Sequence, residues 1–147
     1  MEEVKQPPEE VLKGTETVLL VDDEEMIIDV GRQMLEEMAY KVLLARNGKE
    51  AIELYKENLG EIALVILDII MPKMSGGETF DRLKEINPNI KVLLLSGYDI
   101  DSEAKEILKR GCDNFIQKPF DIKRLSQKIR EILGRPEATR KPGDRQI

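Results

Sequence analysis

The chain has 147 residues, 41% of them hydrophobic, and its 23 basic and 29 acidic side chains leave a net charge of −6. That length and composition fit one globular domain with short extensions, and the acidic balance offers no general attraction to nucleic acid or to an anionic membrane. There is no histidine and one cysteine, Cys112, which excludes an internal disulfide, a cysteine zinc cluster and histidine-based acid–base catalysis, and leaves Mg²⁺, Mn²⁺ or Ca²⁺ on oxygen ligands as the metals to consider.

Residues 1–14 are charged, carry Pro7-Pro8 and Gly14, and read as a linker or flexible arm. They contain no apolar signal-peptide core, and no run in the chain approaches the roughly 20 apolar residues of a membrane helix. The expectation is a cytoplasmic protein without membrane insertion. Thr17–Val21 is a short apolar run, and Glu25–Met38 follows with Ile27, Val30, Met34 and Met38 at helical spacing. Lys41–Ala45 is apolar again, and Asn47 is placed to cap a helix through Glu57. Ile62–Leu67 is the third run, leading to Asp68; a helix over about Gly77–Ile86 stops at Asn87-Pro88. Val92–Leu95 is the fourth run, followed by a helix near Ser102–Arg110 that ends at Gly111. Asn114–Gln117 is the fifth, and Asp121 caps a last helix with Ile122, Leu125, Ile129 and Ile132 on one stripe and Gly134 at its end. Residues 135–147 read as a flexible tail, so the domain is expected over 15–134.

Five strand–helix units in series, with apolar rather than alternating strands, predict an α/β domain. Its sheet is parallel, doubly wound and five-stranded, with helices on both faces and the flavodoxin-like order 2-1-3-4-5. Ligands of such sheets bind beyond the carboxyl ends of the strands. There the sequence places Asp22-Asp23-Glu24-Glu25, Asp68, Ser96-Gly97 and Lys118-Pro119. Taken singly, each has an ordinary explanation as a helix cap, a turn or a strand exit. Taken together, they bring Asp22, Asp23 and Asp68 around one small cavity. Two like charges about 4 Å apart repel by roughly 4 kcal/mol at an effective dielectric near 20. Either one carboxyl is protonated or a cation sits among them, and an all-oxygen donor set suits Mg²⁺. Lys118 adds a positive charge and Ser96 a hydroxyl. An aspartate nucleophile beside such groups is equipped for phosphoryl transfer.

The segments LLVDDE, VILDIIMPKMSG, VLLLSGY and GCDNFIQKPF, in that order, resemble the receiver domains of two-component response regulators. The resemblance implies that Asp68 is the phosphoacceptor. It implies Mg²⁺, for which Mn²⁺ may stand in, on Asp23 directly, on Asp22 through water, on Asp68 and on the carbonyl of Ile70. Ser96 corresponds to the switch hydroxyl, Lys118 to the phosphate-contacting lysine and Phe115 to the aromatic switch position, where tyrosine is the common residue. Lys118-Pro119 falls where the family often has a cis peptide, and Met71-Pro72 and Gly76 match the loop after the acceptor. Ile70 and Tyr98 occupy the positions that tune phosphoryl lifetime, and neither supplies an amide or carboxylate to orient water, which implies slow self-dephosphorylation. The implied function is a phosphorylation-activated switch that is no conventional enzyme, although it catalyses its own phosphorylation and slow dephosphorylation. Its implied partners are a histidine kinase or histidine phosphotransfer domain, and a protein output partner on the face of the fourth helix, fifth strand and fifth helix. The start TETVLLVDDEE suits the C-terminal receiver of a hybrid histidine kinase and a stand-alone regulator alike. The residues after the last helix are too few for a DNA-binding domain.

Three other readings compete. An aspartate-nucleophile phosphatase would carry a second aspartate two residues after the nucleophile, where Ile70 stands. A flavin protein of this fold would not put four acids at its phosphate loop. A receiver-like interaction module that is never phosphorylated has no need of Asp22, Asp23, Asp68, Ser96 and Lys118 together.

Overall fold

The structure, a computed structural model, describes residues 11–71, 74–97, 102–112 and 114–134. In chain order the elements are β1 (Thr17–Val21), α1 (Glu25–Glu37), β2 (Lys41–Ala45), α2 (Gly48–Glu57), β3 (Ile62–Asp68), α3 (Gly76–Ile86), β4 (Val92–Ser96), α4 (Ser102–Lys109), β5 (Asn114–Gln117) and α5 (Ile122–Leu133). The strands form one sheet in the order β2-β1-β3-β4-β5, and every pairing is parallel. This is the flavodoxin-like doubly wound fold that the alternation of runs predicts. Among the described residues no helix is long and apolar enough to cross a membrane.

Strand side chains alternate between two cores. Leu19, Val21, Val65, Leu67, Val92 and Leu94 face the layer of α2, α3 and α4, where Tyr55, Phe80, Leu83 and Ile107 meet them. Val18, Leu20, Leu64, Ile66, Leu93 and Leu95 face α1 and α5, where Ile28, Leu35, Leu125 and Ile129 meet them. Burial on both faces explains why the strands read as continuous apolar runs. Among the described residues three helices begin on a capping side chain: Asn47 accepts from the N–H of Glu50, Ser75 from that of Glu78 and Asp121 from that of Arg124.

Helix α1 corrects the sequence reading. Its inward face is Ile28, Gly31 and Leu35, with Met38 just beyond, not the stripe Ile27, Val30 and Met34. Val30 is exposed, and Ile27 and Met34 are half-buried. The cause is Gly31: a Cβ there would lie 2.9 Å from Leu20 Cδ2. The helix approaches the sheet along a residue with no side chain, so the true face is shifted by one position, and a hydrophobicity count misses it.

The amino end of the sheet is tied down by residues that the sequence places in or beside the arm. Leu12 N–H donates to Ser126 Oγ at 3.3 Å, Gly14 N–H to the carbonyl of Met38 at 3.0 Å, and Arg130 Nη2 of α5 to Glu16 Oε2 at 2.8 Å. Pro72 and Tyr98, named above, lie outside the described residues.

Candidate functional site

Four strands end in a polar residue at the same edge, and the parallel register brings those residues together. Asp22 follows β1, and its N–H still donates to the carbonyl of Ala45 beside it, at 3.1 Å. Asp68 closes β3 opposite Leu95, Ser96 closes β4 opposite Gln117, and the N–H of Lys118 donates to the carbonyl of Ser96 at 2.7 Å. The Lys118–Pro119 peptide is cis. These residues surround an open cavity of about 560 Å³, lined by Asp23, Glu24, Asp68, Ser96 and Lys118 with Ile27 and Ile70 among the apolar rim.

Asp22 is fully buried, and Asp68 and Ser96 nearly so. Among the described residues one cation faces them. Lys118 Nζ lies 3.0 Å from Asp22 Oδ2, 3.2 Å from Asp68 Oδ1 and 3.0 Å from Glu24 Oε1. Asp22 Oδ1 accepts from the N–H of Glu24 at 2.9 Å, whereas Oδ2 receives no hydrogen bond of good geometry despite its ion pair. Asp22, Asp23 and Asp68 each turn an oxygen to within 4.8 Å of the others.

The titration of the site follows from this crowding. Burial, then the charge of Asp22, pushes the Asp68 carboxyl up to about 7, against the pull of Lys118, with Asp23 adding to the rise. Burial likewise raises Asp22 above the ordinary carboxylate range, although the Glu24 N–H and Lys118 oppose it. Burial lowers Lys118, but its hydrogen bond to Glu24, its close contact with Asp22 and the charge of Asp68 outweigh that and hold it above an ordinary lysine. The pocket thus has more buried negative charge than one lysine balances. Three converging carboxylates, one with a buried oxygen that meets Lys118 without a well-formed hydrogen bond, fit a hard divalent cation such as Mg²⁺.

The loop after the acceptor is built to expose one residue and anchor the next. Ile69 is buried, and its carbonyl accepts from Gly76 N–H at 2.8 Å. A Cβ on Gly76 would lie 2.6 Å from the carbonyl oxygen of Asp68, so only glycine lets α3 begin this close to the acceptor. Ile70 stands 70% exposed at the rim. Phe115 sits apart from the cavity, half-buried against the α2–α3–α4 core. Glu24 was part of an acidic run in the sequence; its contact with Lys118, 94 residues away, has no local signal. The pair Glu16–Arg130 was likewise invisible, because its partners are 114 residues apart.

A doubly wound domain with three acids and a lysine at its carboxyl edge has the groups to hold a metal ion beside an anionic ligand. Residues 18–130 match the family model described as response regulator receiver domain, and the chain belongs to that family. It is 36% identical over 122 residues to the sensor kinase CckA of Brucella abortus (strain 2308), covering 83% of this chain and 13% of that protein. It is 34% identical over 116 residues to the chemotaxis protein CheY of Halobacterium salinarum, covering 79% of this chain and 95% of that one. Against a cyclic di-GMP phosphodiesterase of Thermotoga maritima it spans 31% of the relative's length at 36% identity, over 80% of this chain. Among solved structures, a receiver domain protein from Clostridium thermocellum superposes with a TM-score of 0.76 at 30% identity, covering 80% of this chain and 94% of that one. A CheX-CheY-BeF3-Mg complex from Borrelia burgdorferi gives the same TM-score and identity, covering 80% and 88%. The chain is therefore a receiver domain of two-component signalling, a family of phosphorylation-activated switches that generally bind Mg²⁺ at an acidic pocket.

Proposed function

We propose that the domain, taken as residues 15–134 between an arm at 1–14 and a tail at 135–147, accepts a phosphoryl group onto Asp68. The donor is a histidine kinase or histidine phosphotransfer domain in the cytoplasm. The observation that carries this reading is Lys118 Nζ set 3.2 Å from Asp68 and 3.0 Å from Asp22, with Asp23 completing the acidic cluster. Asp68 attacks the phosphorus of the donor phosphohistidine; a P–O bond forms and the P–N bond breaks, its electron pair returning to the imidazole. Asp22, Asp23 and Asp68, with the carbonyl of Ile70, would hold Mg²⁺ (or Mn²⁺), which supplies charge neutralisation at the phosphoryl oxygens. Lys118 and the Ser96 hydroxyl then hold those oxygens. The apolar rim of Ile27 and Ile70, with the exposed Met26 and Val30 of α1, suits a docked protein donor. The CckA and CheX-CheY-BeF3-Mg relatives support a kinase-linked, magnesium-dependent reading with a protein partner.

The bound phosphoryl group biases the α4–β5–α5 face, with Phe115 as the responding aromatic, and the output is a protein contact. Ile70 and Tyr98 supply neither an amide nor a carboxylate to orient an attacking water, so self-dephosphorylation is slow.

The test is intact mass after incubation with Mg²⁺ and acetyl phosphate, or with a charged phosphotransfer partner. An acid-stable, alkali-labile adduct is expected in the wild type, persisting well beyond seconds, and none is expected in Asp68→Asn. A wild type that takes up no phosphoryl group from any donor refutes the switch. An adduct that survives Asp68→Asn removes Asp68 from its role, and a half-life of seconds refutes slow hydrolysis.

A further inference from the structure

We propose that Glu24 is a positioning residue that restrains Lys118 and disfavours small anionic phosphodonors; this rests on the reading of Asp68 as phosphoacceptor. An ammonium group has three N–H donors. Lys118 Nζ turns toward three carboxylates, at 3.0 Å from Asp22, 3.0 Å from Glu24 and 3.2 Å from Asp68. A phosphoryl oxygen that comes to Nζ must displace one of these three neighbours. Asp22 is fully buried and Asp68 is the reacting group, whereas the Glu24 side chain is 61% exposed. Glu24 is also the residue before α1 and makes no capping hydrogen bond with its side chain, so its carboxylate has no other structural task in the turn. It is the contact that yields.

Until it yields, Glu24 acts in two ways. It occupies a donor of Lys118 that the transferred group needs, and it adds a negative charge at the mouth of the cavity that an anionic donor must pass. A protein donor can bring cationic side chains to offset that charge; acetyl phosphate has none. The restraint therefore selects for the class of donor. In the reaction with acetyl phosphate, Asp68 forms a P–O bond, the P–O bond to acetate breaks and acetate leaves with the electron pair.

Glu25 provides the control. It is one residue on, carries the same charge and pairs with Arg46 at 2.9 Å rather than with Lys118. The experiment compares initial rates of adduct formation from acetyl phosphate and Mg²⁺ for the wild type, Glu24→Gln and Glu25→Gln, at low and high ionic strength. Glu24→Gln is expected to react roughly twofold to fivefold faster at low salt, the worth of an exposed ion pair. That gain shrinks when about 1 M salt shortens the screening length to roughly 3 Å. Glu25→Gln is expected to match the wild type. A Glu24→Gln rate equal to or below the wild type, an equal gain in Glu25→Gln, or a gain indifferent to salt overturns the proposal while leaving the acceptor reading intact. Absence of an adduct in the wild type and in Glu24→Gln alike, from acetyl phosphate and from a charged phosphotransfer partner, overturns both.

Discussion

The two ends of the sheet each hold a cation, Arg130 buried and Lys118 half-buried, and they are balanced differently. At the amino end, Arg130 is 7% exposed, bonds Glu16 at 2.8 Å and lies 5.8 Å above the ring of Tyr40. Among the described residues this cation is paired with a single carboxylate. At the carboxyl end, Lys118 faces two buried acids with two more at the rim, and the site opens into a cavity. The amino end uses its ion pair to fasten α5 to the start of β1. Among the described residues the carboxyl end keeps a surplus of negative charge, which a proton or a bound cation would relieve.

The strongest way to break the comparison is to remove Arg130. Arg130→Ala strands Glu16 and uncovers Tyr40, and the loss of one partner of a largely buried pair is expected to cost about 3 kcal/mol of stability. Urea denaturation measures it. Phosphorylation of the folded fraction should remain, because the carboxyl edge is untouched; a variant as stable as the wild type would show that the pair fastens nothing.

The two ends should also respond to pH in opposite senses. Asp68 has its folded pKa raised to about 7 from an ordinary value of 3.8. The folded state therefore holds its proton more tightly, and stability from this group falls as pH rises from about 4 through 7, by a few kcal/mol at most. Asp68→Asn removes that limb and should be more stable than the wild type at neutral pH without divalent cation, as expected when a functional site carries strain. Mg²⁺ should stabilise the wild type increasingly with pH, by mass action on the folded state. Thermal unfolding across pH 4–8, with and without Mg²⁺, checks all three; a flat wild-type profile would contradict the surplus of charge.

Glu16 behaves the other way. Burial raises its pKa, but the hydrogen bonds from Arg130 and from the backbone N–H groups of Glu16 and Thr15 outweigh burial, leaving it below the ordinary 4.5. Its contribution is complete above about 4.5 and is lost as pH falls through the lowered value. Glu16→Gln, which keeps an acceptor for Arg130, is the mildest change, at about 1 kcal/mol, and it should erase this acid limb.

Much of the architecture was legible because strand and helix periods are local. The apolar runs at Thr17–Val21, Ile62–Leu67 and Val92–Leu95 sit where β1, β3 and β4 form, and Asn47 and Asp121 cap the helices they were expected to cap. Helix α1 was misread by one position because its packing face contains Gly31, which no hydrophobicity count registers. The convergence of Asp22, Asp23, Asp68 and Lys118 was legible too, since a parallel sheet places all strand ends at one edge.

The residue types, their order and the strand count are local properties, and with them the sequence by itself determined the fold class and the family. The distribution of charge between those residues is not local. That Glu24 turns back to Lys118, that burial lifts Asp68 toward 7, and that Arg130 finds Glu16 across the chain depend on distances and on how much water each group loses. Only the tertiary structure decided them, because Coulomb attraction and desolvation act through space and take no account of separation along the chain.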